Sequence, residues 1–100
     1  MTYKLRIREK AAGQSLAAKE YYSSIMQSLG QSFADELLKK ISIIADNPEF
    51  FPVVDEFGHR RKLLDKFPYA IYYLFKNNKV YIRAIIHYSV GKSKQTELLK

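Results

Sequence analysis

FPYAIYYLFKNNKVYIRAIIH, residues 67–87, is the stretch whose reading decides the fold. Tyr69 to Phe75 and Lys79 to His87 are rich in aromatic and branched aliphatic residues, as strands are. Between them Asn77-Asn78 supplies a two-residue turn, because asparagine tolerates the left-handed backbone that tight hairpins need. Alternation in the second segment predicts Val80, Ile82, Ala84 and Ile86 on one face. It puts Tyr81, Arg83, Ile85 and His87 on the other. Tyr72 and Tyr73, being adjacent, point to opposite faces. Upstream, HRRKLLDK (59–66) places a further short strand at Arg60 to Leu64, and Pro68 interrupts before Tyr69. The result is a three-stranded antiparallel meander.

The N-terminal half supplies what the meander packs against. TYKLRIR (2–8) alternates, with Tyr3, Leu5 and Ile7 on one side, and reads as a half-buried strand. Residues 12–29 carry Ala18, Tyr22, Ile25, Met26 and Leu29 at helical spacing. Gly30 then reads as the residue after the helix end. Ser32 reads as the cap of a second helix, with Asp35 three residues on. Phe33, Leu37, Ile41 and Ile44 form its stripe, and it ends near Asp46 because Pro48 disfavours helical geometry before it. Residues 47–59 read as a loop, tacked down by Phe50, Phe51, Val53 and Val54. The last segment, YSVGKSKQTELLK, reads in two ways: Gln95 to Lys100 form either a helical turn or a tail. Together these segments predict an α+β fold. It consists of an N-terminal strand, an antiparallel helical hairpin and then the meander, with the helices packed on one face of the sheet. The opposite face is expected to be partly exposed, displaying basic and aromatic groups.

Composition limits the function. One hundred residues suffice for a single domain, and 47% hydrophobic content suffices for a core. With no cysteine, disulfides and thiolate metal sites are excluded. His59 and His87 are too few and too far apart in sequence for a zinc site. There is no Gly-rich phosphate loop, and no cofactor is expected. No apolar run approaches the roughly 20 residues that span a bilayer. The N-terminus does not read as a signal peptide, so a cytoplasmic location is the expectation. The net charge of +7 is unevenly placed. Residues 1–57 hold seven Lys/Arg and eight Asp/Glu, and residues 58–100 hold ten and two. This asymmetry suggests an acidic partner, nucleic acid or protein.

The block order YKLRI, then YYSSIMQSLGQSFADELLKKISIIADNP, then FPYAIYYLFKNNKVYIRAIIH resembles the RelE/ParE superfamily of toxins in type II toxin–antitoxin systems, especially its ParE-like branch. The resemblance covers nearly the whole chain. It implies the same small fold and a plasmid-stabilisation role. It also implies neutralisation by a cognate antitoxin from an adjacent gene and, for the ParE-like branch, action on DNA gyrase. For RelE-like members it implies messenger RNA cleavage on the ribosome. Where the RelE-like group has an arginine after the strand tyrosine, this chain has Ala70 after Tyr69. Val90-Gly91-Lys92 matches a segment of that group, but no tyrosine follows Tyr88. Where ParE-like chains often have an arginine after the strand-end histidine, this chain has Tyr88, Ser89 and Val90. A degenerate, non-toxic member of the family is a further alternative.

Candidate residues follow from charge, aromaticity and the resemblance. A ribonuclease needs an acid, a base and phosphate-holding cations, for which Arg61, Arg83 and His87 are the candidates. Partner or nucleic-acid binding is assigned to Arg60, Arg61, Lys62, Tyr69, Tyr73, Tyr81, Arg83, His87, Tyr88 and Lys92. Each also has a plain structural reading: a solvated charge run, a surface salt bridge, a core aromatic or a strand-end histidine. His59, in a loop, has less claim to chemistry than His87.

Overall fold

The structure is a computed structural model that describes residues 2–99 and, within them, all side chains except those of Lys92 and Ser93. The binding role expected of the Lys92 side chain lies outside the described residues. The elements are β1 (Lys4–Ile7), α1 (Glu9–Ile25), α2 (Gln27–Asp46), β2 (Arg60–Leu63), β3 (Tyr69–Lys76), β4 (Lys79–His87) and α3 (Lys92–Leu99). The strands form one sheet in the order β1-β4-β3-β2. The meander is antiparallel, while β1 joins parallel to β4. The α+β architecture expected from the sequence is present, with the hairpin on one face. Asn77 and Asn78 have φ of 54° and 59°, the left-handed pair of the predicted turn.

The helix boundaries differ from the expectation. α1 starts at Glu9 and ends at Ile25, so the predicted span of 12–29 is shifted. The break is Met26, extended at φ −158° and ψ 128°. Gly30 does not end α1; it is a buried residue inside α2. Its role is close approach: a Cβ there would lie 1.7 Å from Ser23 Oγ and 3.0 Å from the Lys19 carbonyl. The two helices therefore cross where one lacks a side chain, and the connection tightens to one residue. Ser32 is exposed mid-helix and caps nothing. Asp35 instead accepts a 2.8 Å bond from Gln31 Nε2.

On the hairpin face, Ala11, Ala18, Phe33, Leu37, Ile41 and Ile44 close over Ile71, Tyr73, Val80, Ile82 and Ile85. α2 also fixes the β2–β3 connection. Lys40 Nζ donates to Asp65 Oδ2 at 2.7 Å, and the Glu36 carboxylate accepts the backbone N–H groups of Asp65 and Lys66.

The opposite face is partly exposed, with Leu63 open and Arg61, Leu74 and Tyr81 half-buried, but α3 lies over the rest and a second core that the sequence reading did not foresee forms from Ala70, Tyr72, Ala84, Ile86 and Leu99. Of the two readings of the C-terminal segment, helix is the one adopted. The predicted facing of β4 is also half wrong. Tyr73 pairs with Ile82 and Tyr72 with Ala84, which leaves Arg83 as an extra residue. Such a bulge inverts the alternation beyond it. Val80, Ile82 and Ile85 consequently face the hairpin, and Ala84 and Ile86 face α3. β1 is not half-buried: all four of its residues are exposed at the sheet edge.

Candidate functional site

The predicted site residues do not meet in one place. In β2 the basic run divides by alternation. Arg60 pairs with Tyr73 and Lys62 with Ile71, both hairpin-facing, and Arg61 pairs with Tyr72 on the other face. Arg60 Nη1 donates to the carbonyls of Phe51 (2.6 Å) and Glu49 (3.1 Å), so it pins the preceding loop. Lys62 Nζ sits 5.0 Å from the Phe51 ring centroid, a cation–π distance. Tyr73 is fully buried and donates to the Pro48 carbonyl at 2.7 Å. Burial pushes its phenol up to about 12, against a smaller opposing pull from Arg60. The expectation grouped Tyr73 with surface tyrosines; the structure makes it a core anchor.

A second group forms at one end of the sheet. Tyr69 pairs with His87, their rings 5.4 Å apart, and Tyr88 continues the group at 5.9 Å from His87. Tyr22 joins Tyr69 from α1 at 6.2 Å, edge-on. Burial raises the Tyr69 phenol, and neighbouring Tyr21 adds to this. Tyr69 is therefore a hydrogen-bond donor at neutral pH, not an anion. The Ser89 hydroxyl lies 2.6 Å from His87 Nδ1. Tyr21 is exposed beside this corner, and sequence reasoning missed it because helical spacing alone does not show which strand end a helix turn reaches.

Arg83 belongs to a third region. Arg8 Nη2 and Arg83 Nη2 each donate at 3.3 Å to the end of α3, at the carbonyls of Leu98 and Leu99 respectively. Cations suit a helix C-terminus. Arg8 Nε also reaches the Arg83 carbonyl at 2.7 Å. Tyr81 stacks under Lys76 Nζ at 5.6 Å. Arg83 therefore faces α3, whereas His87 sits beside Tyr69 on the hairpin side, so the trio Arg61, Arg83 and His87 does not converge.

Beside Arg83 stands a turn that the sequence reading undervalued. In DEFGH, Gly58 takes φ 89°, which lets the chain fold back on Asp55. Asp55 Oδ1 accepts the N–H groups of Phe57 and His59 at 3.0 Å each, and Oδ2 lies 2.6 Å from His59 Nδ1. Burial by itself would raise the Asp55 carboxyl. The backbone and ring hydrogen bonds of His59, its charge and the Phe57 N–H outweigh that and hold the carboxyl below its ordinary value. An acid four residues before a histidine, around a glycine, was the available signal. Among the described residues no three His, Asp or Glu side chains gather in a way that could hold a metal ion.

β1 forms one edge of the sheet. Its register puts Leu5 beside Val80 and Ile7 beside Ile82. Both are on the hairpin side, yet they remain 36% and 44% exposed. On the helices Leu16, Ile25 and Leu38, and between them Met26, are also exposed. β1 has one strand neighbour, so its outer backbone groups are a row open to pairing. No described helix is long and apolar enough to cross a membrane.

No protein-family model matches the sequence, and no curated protein matches it either. Among solved structures, the chain is similar to one from the chromosomal ParDE TA system from P. aeruginosa. The two are 16% identical, and the match covers 86% of this chain and 96% of that chain at a TM-score of 0.76. At that identity, the likeness establishes a shared fold.

Proposed function

We propose that the protein is a ParE-like toxin of a type II toxin–antitoxin system, neutralised in the cytoplasm by an antitoxin encoded in an adjacent gene. The observation that carries the reading is the likeness, over 86% of this chain, to a chain from a ParDE system. The open β1 edge supports it. An extended segment of a partner can add a strand there through main-chain hydrogen bonds, and Leu5 and Ile7 offer apolar contact. The net charge of +7 favours an acidic partner. For the cellular target we propose DNA gyrase, on the resemblance alone. For ribosome-dependent messenger cleavage, the candidates Arg61, Arg83 and His87 do not converge among the described residues.

The test is growth after induced expression, with and without the neighbouring small gene, alongside assays of plasmid supercoiling and messenger integrity. Arrest relieved by the neighbour, altered supercoiling and intact messenger are expected. Copurification should recover the neighbour's product, and Ile7→Lys should weaken that capture while the chain stays folded. A soluble, harmless protein that captures nothing from the neighbouring gene would sink the proposal. Arrest with rapid messenger cleavage would replace gyrase with the ribosome.

A further inference from the structure

β1 carries a different chemistry on each of its sides, and its outer backbone lies open between them. Arg8 N–H donates to the Ile82 carbonyl at 3.2 Å. Strand alternation then turns the backbone groups of Lys4 and Arg6 toward β4 and those of Leu5 and Ile7 outward. Tyr3 shares the outward direction, but its N–H is taken by the Ala45 carbonyl at 3.0 Å, so the end of α2 closes the edge there. At the other end the chain turns into α1 at Glu9. The open edge is therefore short, the four residues of β1. Leu5 and Ile7 are exposed on the hairpin side, in register with buried Val80 and Ile82. Lys4 and Arg6 are exposed on the other side, and Lys79 pairs with Lys4 in register. These five residues line a groove of about 480 Å³ along the strand, and every charged group in the lining is a cation. The ion pairs among the described residues, Lys40 with Asp65 and His59 with Asp55, involve none of the three.

We propose that this edge receives an extended partner segment in which apolar residues alternate with aspartate or glutamate. Directly opposed residues of neighbouring strands project to the same side, with Cβ atoms about 4.5–5.5 Å apart. A residue added beside Leu5 or Ile7 lies on the hairpin side and meets an aliphatic surface. A residue added beside Lys4 or Arg6 lies on the other side and meets a cation. Period two in the edge thus selects period two in its occupant. The outward groups of Leu5 and Ile7 supply main-chain hydrogen bonds that accept any sequence, and the alternation supplies the choice among sequences. A second copy of this chain is a poor occupant. With the hairpin sides together, two antiparallel β1 strands would set cation against cation, which is destabilising. A nucleic acid would meet the cations but leave Leu5, Ile7 and the outward backbone groups uncovered. The occupant is then a strand of the antitoxin, an identification that rests on the reading proposed above.

The test titrates the whole chain, alone, with an end-capped peptide that alternates valine and glutamate, while amide resonances and their hydrogen exchange are followed by NMR. Saturable shifts along β1 are expected, with slower exchange at the outward amides of Leu5 and Ile7. Added salt should weaken binding, because exposed ion pairs are screened. A peptide of the same composition with its valines in one run should bind about fivefold more weakly or worse, the worth of one or two cross-strand pairs. A peptide alternating valine and lysine should not saturate. Arg6→Glu, an exposed change that leaves the fold intact, should reverse the preference between the glutamate and lysine peptides. No saturation by the glutamate peptide, equal affinity for the reordered peptide, or an unchanged preference in Arg6→Glu would each overturn the proposal. Tighter binding of single-stranded oligothymidylate at the same amides would give the edge to nucleic acid and overturn it. Protection of Leu5 and Ile7 that grows with protein concentration alone would give the edge to a second copy and overturn it likewise. Capture of the neighbouring gene's product separates this pattern from the antitoxin reading. Equal capture by Arg6→Glu would remove the pattern and leave the antitoxin. A saturating glutamate peptide with no capture would support the pattern and remove the antitoxin.

Discussion

The two faces of the sheet are sealed in different ways. On the hairpin face, α1 lays Ala11 and Ala18 and α2 lays Phe33, Leu37, Ile41 and Ile44 over β3 and β4, and the core is almost wholly apolar. On the other face, eight residues of α3 supply mainly Leu99. Polar contacts do much of the docking. Tyr72 donates to Gln95 Oε1 at 3.0 Å, and Arg8 and Arg83 hold the last carbonyls. The first arrangement gives global stability, because apolar burial is non-directional and accumulates with area. The second ties a small element down by individual bonds, near two buried side-chain nitrogens, His59 Nε2 and Arg83 Nε, that have no hydrogen-bond partner among the described residues. Such elements open locally at lower cost than the core around them.

Substitutions can break or sharpen that contrast. Phe33→Ala should have the largest effect, lowering unfolding free energy by about 3–5 kcal/mol as a fully buried ring is lost. Chemical denaturation reads it, and a loss under 1 kcal/mol would mean that the hairpin core repacks. Gly30→Val should cost about 1–3 kcal/mol by the same measurement, since its side chain has no room at the helix crossing. Unchanged stability would show that Ser23 and the backbone at Lys19 yield.

A matched pair compares the faces directly. Tyr73→Phe strands the buried Pro48 carbonyl and should cost about 1–3 kcal/mol. Tyr72→Phe frees Gln95, which is half-buried and can turn to water, and should cost about 0.5–1 kcal/mol. It should speed amide exchange in α3 more than in β3. Equal costs would erase the distinction. The smallest effect is pH-dependent. The folded Asp55 carboxyl titrates below its unfolded value, so its contribution is present above about pH 4 and lost as pH falls through the folded value. Thermal midpoints should therefore drop below about pH 4, and less so in Asp55→Asn. Asp65, held low by its hydrogen bond to Lys40 and then by that charge, adds a drop of the same sign that Asp55→Asn leaves intact.

Much of this was legible in the chain. The Asn77-Asn78 turn, the strands on either side of it and the stripe from Phe33 to Ile44 follow from local rules that act over a few residues. The candidate site was much less so. Tyr69, His87 and Tyr88 do group together, but Tyr73 is inside the core and Arg83 serves α3. His87 was ranked above His59 because a loop histidine is usually solvated. The Gly58 turn reverses that by bringing Asp55 against the ring in a buried place.

By itself, then, the sequence determined the element types, the hairpin turn and the positive charge, since backbone preference, periodicity and ionisation are properties of short segments. Tertiary structure alone decided the Met26 break, the bulge at Arg83, the covering of the second face by α3 and the open edge at β1. Each depends on two segments distant in the chain competing for one space. A missing Cβ at Gly30 lets two helices meet, and one extra residue in β4 turns Ala84 and Ile86 to the other side.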